Sequence, residues 1–300
     1  MPPPDNHVHS EWSWDTQTGS MERSCERALA LGLPAIAFTE HADFTVWAED
    51  DPGRHEDGPG RPDPDGLDAP SRDGRASADG SAGNSLGLPG RTRIRPLDVT
   101  GYQASIELCR DRFRELRIVS GIETGEPHLF AGSVSAVLKA APFDRVLGSL
   151  HSVRHDGRLW YADNLFPALG AEELMRQYFA ELLRLIKGSD VFEVLAHMDF
   201  PRRQWPSGGT PFDELVFEEE YRAVFGALAS SGRVLEINTA SPLASVQLIQ
   251  WWREAGGTAV SFGSDAHDPY RVGDKFDRAA AVAEAAGFRP GHDAFDFWRL

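Results

Sequence analysis

The sequence predicts an α/β fold of parallel βα units closed into a barrel. Short apolar, β-prone runs alternate with helix-period segments from one end of the chain to the other, which is the pattern of repeated βα units. At 300 residues with 41% hydrophobic content, the chain is long enough for one such barrel and its core. Histidines and acids also recur at the ends of the strand-like runs, where a parallel barrel would bring them to one face.

Strands are expected at Asn6–His9, Ala35–Thr39, Ile118–Glu123, Arg145–Leu150, Val191–Ala196, Val234–Asn238 and Thr258–Gly263. Between them, Met21, Cys25 and Leu29 recur every four residues. Tyr102, Ile106, Cys109, Phe113 and Leu116 form one apolar stripe, and Leu174, Tyr178, Leu182 and Leu185 another. Gly32 followed by Pro34 reads as a helix stop and Asp98 as a helix cap. Trp251 and Trp252 are adjacent on a helix and cannot face the same way, so one is expected at an exposed contact surface. The stretch 49–96 differs in kind. It is dense in Asp, Gly, Pro, Arg and Ser, with Leu67, Leu86, Leu88 and Ile94 its large apolar residues. Such a segment buries too little surface to offset its ordering entropy. It is read as a disordered insertion within a single domain spanning 1–300, because the strand and helix alternation resumes beyond it.

Net charge excludes some partners. A formal charge of −16 opposes long-range attraction to nucleic acid or anionic membrane, and no basic run appears. Any anionic substrate must therefore meet positive charge locally. No stretch reaches the roughly 18 apolar residues of a membrane span, and the opening MPPPDNHVHSEW has neither a basic leader nor an apolar core. Cys25 and Cys109 form no CxxC pair or disulfide framework and are expected as buried thiols in a reducing cytoplasm.

The chemistry is carried by histidine. His7 and His9, in DNHVHS, are two apart on a strand and so project to the same side, where both can face one ion. Asp15 follows in the loop. His41 ends the second strand in FTEHADF, Glu123 the third in SGIETGE, His151 the fourth in LGSLHSV and His197 the fifth in VLAHMDF. Asp265 and His267 follow the last strand in FGSDAHDPYRVG. A lone histidine is more often a surface or hydrogen-bonded core residue than a ligand, which suits His55, His128, His155 and His292, in loops, helix starts or the insertion. The other six share one predicted face with three carboxylates, a ligand set for zinc, manganese or iron.

The order HxH, Asp, EH, Glu, His, His and DxH resembles the nine-ligand set of the polymerase-and-histidinol-phosphatase (PHP) superfamily. GSDAH with a nearby VG, AHMD and EINT are similar to motifs of its histidinol-phosphatase branch. The resemblance covers the whole chain except the insertion. It implies a distorted (β/α)7 TIM-like barrel with two or three divalent transition-metal ions (Zn, Mn or Fe) at the C-terminal ends of the strands. One ion would take His7, His9, Glu123 and Asp265; a second Glu123, His151 and His197; a third Asp15, His41 and His267. It further implies metal-dependent hydrolysis of a small phosphate monoester, with L-histidinol phosphate the expected substrate and histidine biosynthesis the setting, and Glu123, Asp265 and His267 as catalytic groups. Another PHP phosphoesterase, acting on nucleotides or phosphotyrosine, and a non-catalytic metal-binding regulatory module are the alternatives.

Phosphate would need cations beyond the metals. Arg154, Arg202 and Arg271 are the candidate substrate-binding residues; Arg158, Arg203 and Lys275 also follow ligand motifs closely. After EINT the chain reads ASPLAS, where many histidinol-phosphatase relatives carry a basic GLRK-like segment. Trp12, Trp14, Trp160 and Tyr161 lie near the predicted mouth, either as pocket walls or as ordinary packing residues. Because closure entropy varies only logarithmically with loop length, excision of residues 53–90 is expected to leave the melting temperature and turnover nearly unchanged. A large fall in melting temperature would show that the segment packs on the barrel.

Overall fold

A computed structural model of the chain describes residues 2–46 and 94–300. Most of the expected insertion, with His55, lies outside the described residues. In chain order the elements are β1 (Asp5–Val8), α1 (Met21–Leu31), β2 (Ala35–Ala42), α2 (Val99–Arg112), β3 (Arg117–Gly125), α3 (Ala131–Ala140) and β4 (Arg145–Ser149). There follow β5 (Ser152–His155), β6 (Arg158–Tyr161), α4 (Phe166–Leu169), α5 (Ala171–Gly188), β7 (Val194–Leu195), α6 (Glu218–Ser230), β8 (Val234–Asn238), α7 (Val246–Glu254), β9 (Ala259–Gly263), α8 (Phe276–Ala285) and β10 (Trp298–Arg299).

All seven expected strands form, and they pair in parallel in the order β1-β2-β3-β4-β7-β8-β9. The ring closes only at its C-terminal end. There Val8 bridges Ala266, His9 N–H donates to Ala266 O and Asp265 N–H to His7 O. Lower down, β10 pairs antiparallel with Ala259 and Val260 of β9. The result is a distorted TIM-like barrel, tight where the chemistry-bearing residues emerge. Its inner face is small: Leu147, Val194, Ala196, Val234 and Ala259 form a cluster separate from the large core between strands and helices.

The helices form where the apolar stripes require them. Ser20 caps α1 by accepting from Arg23 N, and Gly32, at φ 68°, ends it in a left-handed conformation that glycine adopts without strain. Asp98 caps α2 by accepting from Gly101 N. Tyr102, Ile106 and Cys109 of α2, then Phe113 and Leu116, are buried, as are Leu174, Tyr178, Leu182 and Leu185 of α5.

Three differences from expectation have local causes. The β5–β6 hairpin turns at Asp156-Gly157, both at positive φ, a strong hairpin signal between alternating residues. β7 is two residues long and not six. His197 at φ 37° turns the chain out of the sheet just beyond it, and Phe192 packs over Gly148 of β4, where a Cβ would lie 2.5 Å from the ring. Trp251 and Trp252 are both buried, at 2% and 0% exposure, so neither is a contact surface. α7 is covered on two sides: Trp251 meets Tyr221 of α6, while Trp252 packs on Phe225 and donates from Nε1 to Ala259 O at 3.0 Å. Gly257 passes so close that a Cβ would sit 2.0 Å from the Trp252 ring. Replacing Trp252 with alanine is expected to cost about 3–5 kcal/mol of stability, measurable by urea unfolding.

Candidate metal centre

Each parallel strand delivers a side chain to the closed end of the barrel. β1 delivers His7 and, one residue past its end, His9; β2 delivers His41 and β3 Glu123. His151, His197 and Asp265 each lie two residues beyond β4, β7 and β9. His197 and Asp265 adopt left-handed φ values of 37° and 52°. Such a conformation costs a non-glycine residue about 1–3 kcal/mol. It is offset here by hydrogen bonds from His197 N–H to Glu236 Oε2, 3.0 Å, and from Asp265 N–H to His7 O, 2.8 Å.

The nine expected residues meet. Glu123, fully buried, stands at the centre with its two oxygens turned to different groups. Oε1 lies 2.7 Å from His197 Nε2 and 3.3 Å from His151 Nε2. Oε2 lies 3.3 Å from Nε2 of both His7 and His9 and 3.2 Å from His41 Nδ1. Asp265 Oδ1 is 3.6 Å from His7 Nε2 and 3.3 Å from His9 Nε2. Asp15 Oδ2 joins His41 Nε2, 3.2 Å, to His267 Nε2, 3.0 Å.

Asp43, which sequence reasoning passed over, lies among them. Three of its neighbours make it part of the site: Trp14 Nε1 donates to its Oδ2 at 2.9 Å, and His41 and His151 stand on either side. The signal was present in FTEHADF, where Asp43 is two residues beyond His41 and so on the same side of an extended chain.

The donor set fits divalent cations. His7 Nε2 and His9 Nε2 approach to 3.1 Å, so two imidazole nitrogens aim at the same point. Glu123 Oε2 and both ring nitrogens of His41 are buried without a hydrogen-bond partner, although acceptor and donor atoms crowd them. Buried polar atoms are rarely left so. Convergent lone pairs are what a cation requires, and imidazole with carboxylate suits transition metals. Electrostatics point the same way. Burial disfavours the carboxylate of Glu123, but His7, His41 and His151 outweigh it and hold its pKa well below the ordinary value. Burial likewise opposes ionisation of Asp265, and Arg203 and His7 overcome it. Burial, with His41 and His267 adding to it, lowers His9 to about 4 and keeps it neutral, the form that ligates.

Outer groups orient the inner ones. Glu236 on β8 accepts from His7 Nδ1 at 2.8 Å, and Ser13 Oγ meets His9 Nδ1 at 3.0 Å while donating to Glu40 at 2.6 Å. Glu126 clamps the turn after β4 by accepting from the backbone N–H of His151 and Ser152, 2.7 and 2.8 Å. Room for Glu236 exists because residue 263 is glycine: a Cβ there would lie 2.0 Å from Glu236 Oε1. A cleft beside the cluster is lined by Trp14, His41, Asp43, Thr45, Ile94, Glu126, His151, Ser152 and Tyr161. Of the other aromatics expected at the mouth, Trp12 and Trp160 pack against the hydrophobic core.

The candidate phosphate-binding arginines make local contacts. Arg154 is exposed on the hairpin and donates to Gly157 O; Arg271 is exposed and pairs with Asp274 at 3.1 Å. Arg202 pairs with Asp199 at 3.1 Å and lies over the Phe212 ring. The arginine at the cluster is Arg203, which donates to Asp265 Oδ2 at 2.5 Å, to Asn238 Oδ1 at 3.2 Å and to Ser241 Oγ at 2.7 Å. The remaining histidines behave as expected for non-ligands: His128 hydrogen bonds to Glu181 at 2.8 Å, and His155 and His292 stand beside Asp156 and Asp293.

Replacing Glu236 with alanine frees His7 to rotate. Loss of such an orienting partner typically costs 10- to 100-fold in metal affinity, so the variant is expected to lose metal to a competing chelator at correspondingly lower concentration, and its melting temperature in the metal-free state should fall as well, because the N–H of His197 loses its acceptor.

Comparison with known proteins agrees with this geometry. A histidinol-phosphatase of Lactococcus lactis is 25% identical over 296 residues, covering 95% of this chain and 91% of its own length. A probable histidinol-phosphatase of Deinococcus radiodurans is 26% identical over 297 residues, covering 93% of this chain and 91% of its own. Among solved structures, the Lactococcus lactis histidinol phosphate phosphatase complexed with zinc, L-histidinol and phosphate superposes with a TM-score of 0.73 at 22% identity, over 99% of this chain and 98% of that one. The PHP domain pattern matches residues 5–240, and the chain belongs to the PHP domain family.

Proposed function

We propose that the chain is a metal-dependent phosphatase that hydrolyses L-histidinol phosphate to L-histidinol and inorganic phosphate, and that it works in the cytoplasm. The observation that carries this is the division of Glu123 between two histidine groups, the arrangement by which neighbouring cations share one ligand. Similarity to histidinol-phosphatases along nearly the whole chain supports the substrate. Two free, buried cysteines are in keeping with a reducing compartment.

His7, His9, Glu123 and Asp265 would hold one ion, Glu123, His151 and His197 a second, and Asp15, His41 and His267 a third. Divalent ions held there would supply Lewis acidity, lowering the pKa of a water towards neutrality and offsetting charge on a phosphoryl group. The chain's own residues do the positioning. Arg203, pinned by Asp265, Asn238 and Ser241, sets a guanidinium at the rim where phosphoryl oxygens would arrive, and charge-assisted hydrogen bonds of this kind are strong. Trp14 and Tyr161 wall the adjoining cleft and exclude water from the leaving alcohol.

Protein purified without chelator and resupplied with zinc, manganese and iron is expected to hold more than one transition metal per chain. A ratio at or below one would count against three sites. Glu123→Gln should lose more metal than Asp15→Ala, because Glu123 faces two groups. The loaded enzyme should release phosphate from L-histidinol phosphate faster than from a generic aryl phosphate; equal rates would sink the substrate assignment and leave the phosphatase standing.

A further inference from the structure

All six clustered imidazoles turn Nε2 towards the carboxylates of the cluster, and His41 also brings Nδ1 to 3.2 Å from Glu123 Oε2. Nε2 of His7 and His9 face each other and Glu123; those of His151 and His197 face Glu123; those of His41 and His267 face Asp15. A neutral imidazole that gives one nitrogen to a cation carries its proton on the other, and that N–H needs an acceptor. Three of the six have their own: Glu236 for His7, Ser13 for His9 and the carbonyl of Asp265 for His267, while Nδ1 of His197 is buried with no hydrogen-bond partner.

His41 and His151 share one. Asp43 lies just past β2, 8% exposed, with Oδ2 3.3 Å from His41 Nδ1 and Oδ1 3.6 Å from His151 Nδ1. Oδ1 is buried and has no hydrogen-bond partner. Trp14 Nε1 anchors Oδ2 at 2.9 Å, and the carboxylate fits only because residue 125 is glycine: a Cβ there would lie 2.0 Å from Asp43 Oδ1.

We infer that Asp43 is a positioning residue that accepts Nδ1–H from both His41 and His151, fixing both rings in the tautomer that presents Nε2 to the cluster. It thereby ties the Asp15–His41–His267 group to the Glu123–His151–His197 group. Asp43 also falls within ligand distance of His41 and His151 as a possible metal group of its own. Its oxygens, however, face the Nδ1 atoms of both rings, that of His41 lying between Asp43 Oδ2 and Glu123 Oε2, so a cation held there would compete with the proton that ligation through Nε2 requires. The inference rests on the metal-centre reading of the site.

The test uses zinc-loaded protein labelled with 15N-histidine, with long-range 1H–15N spectra to report which ring nitrogen carries each proton. In the parent, His41 and His151 should both show protonated Nδ1. Asp43→Asn keeps the shape but replaces one acceptor oxygen with an NH2 donor. At least one of these two rings should then lose its Nδ1–H signature while the other four stay unchanged, and zinc affinity by chelator competition should fall about 10- to 100-fold. Trp14→Phe, which removes the anchor on Oδ2, should shift the same signals in the same direction by less, and serves if Asp43→Asn does not fold. Unchanged spectra with affinity within twofold would overturn the inference. So would the loss of one whole zinc equivalent with parental affinity at the rest, since Asp43 would then be a ligand. A fall in kcat/KM confined to amine-bearing substrates would overturn it too, making Asp43 a substrate contact. A parent protein that takes up no zinc would instead overturn the metal-centre reading itself.

Discussion

Glu123 is a fully buried carboxylate set among imidazoles at 2.7–3.3 Å. An unpaired buried charge would cost several kcal/mol, so the closed end of the barrel must keep positive charge around this group in every state of the enzyme. Much of the fold serves that demand. The parallel sheet brings six strand ends and the loop after β1 to one place, and the closure of β9 onto β1 occurs through Asp265 N–H and Ala266 O, at the level of the cluster. β10 pairs with β9 lower down.

The negative charge of the whole chain makes this arrangement more consequential. With a formal charge of −16, long-range attraction of a phosphate is unfavourable, and the acids of the cluster add to the problem. Arg203 is the cation the described residues place at the cluster, and it is held on three sides. Asn238 is the last residue of β8 and Ser241 belongs to the ASPLAS segment that follows, which carries no basic residue. That turn is itself organised by Asn238 Oδ1, which accepts from the N–H groups of Ala240 and Ser241 at 3.0 and 3.3 Å. A segment without basic residues can therefore serve a cationic site by bracing an arginine from the preceding loop.

The fold was legible to the extent that it rests on local pattern. Strand periodicity, helix stripes and the caps at Gly32 and Asp98 depend on neighbours within a few residues, and they formed where the pattern put them, apart from the shortened β7. His7 and His9 could be placed on one side because a strand repeats every two residues. The choice between Arg202 and Arg203 was not legible, because a short 3-10 helix over Phe200–Gln204 turns adjacent side chains in different directions. One meets Asp199 and the other Asp265. The burial of both Trp251 and Trp252 was likewise out of reach, since it depends on how α6 and β9 cover α7.

The orienting groups were the least legible part, for a reason that follows from their role. Glu236, Ser13, Glu40 and Glu126 act through hydrogen bonds to residues 4 to 229 positions away, so no spacing rule identifies them. The glycines beside them are their indirect trace. Gly263 and Gly125 each leave a space that a carboxylate oxygen fills, with any Cβ 2.0 Å from Glu236 Oε1 or Asp43 Oδ1. A glycine inside a strand weakens the strand, so its presence at both positions points to something that must come close. Both lie within the motifs SGIETGE and FGSDAH, which also carry Glu123 and Asp265. In this barrel the residue types that hold the cluster and the ones that make room for its supports are therefore adjacent in sequence, because the strand that delivers a ligand also forms the wall against which the next support is packed.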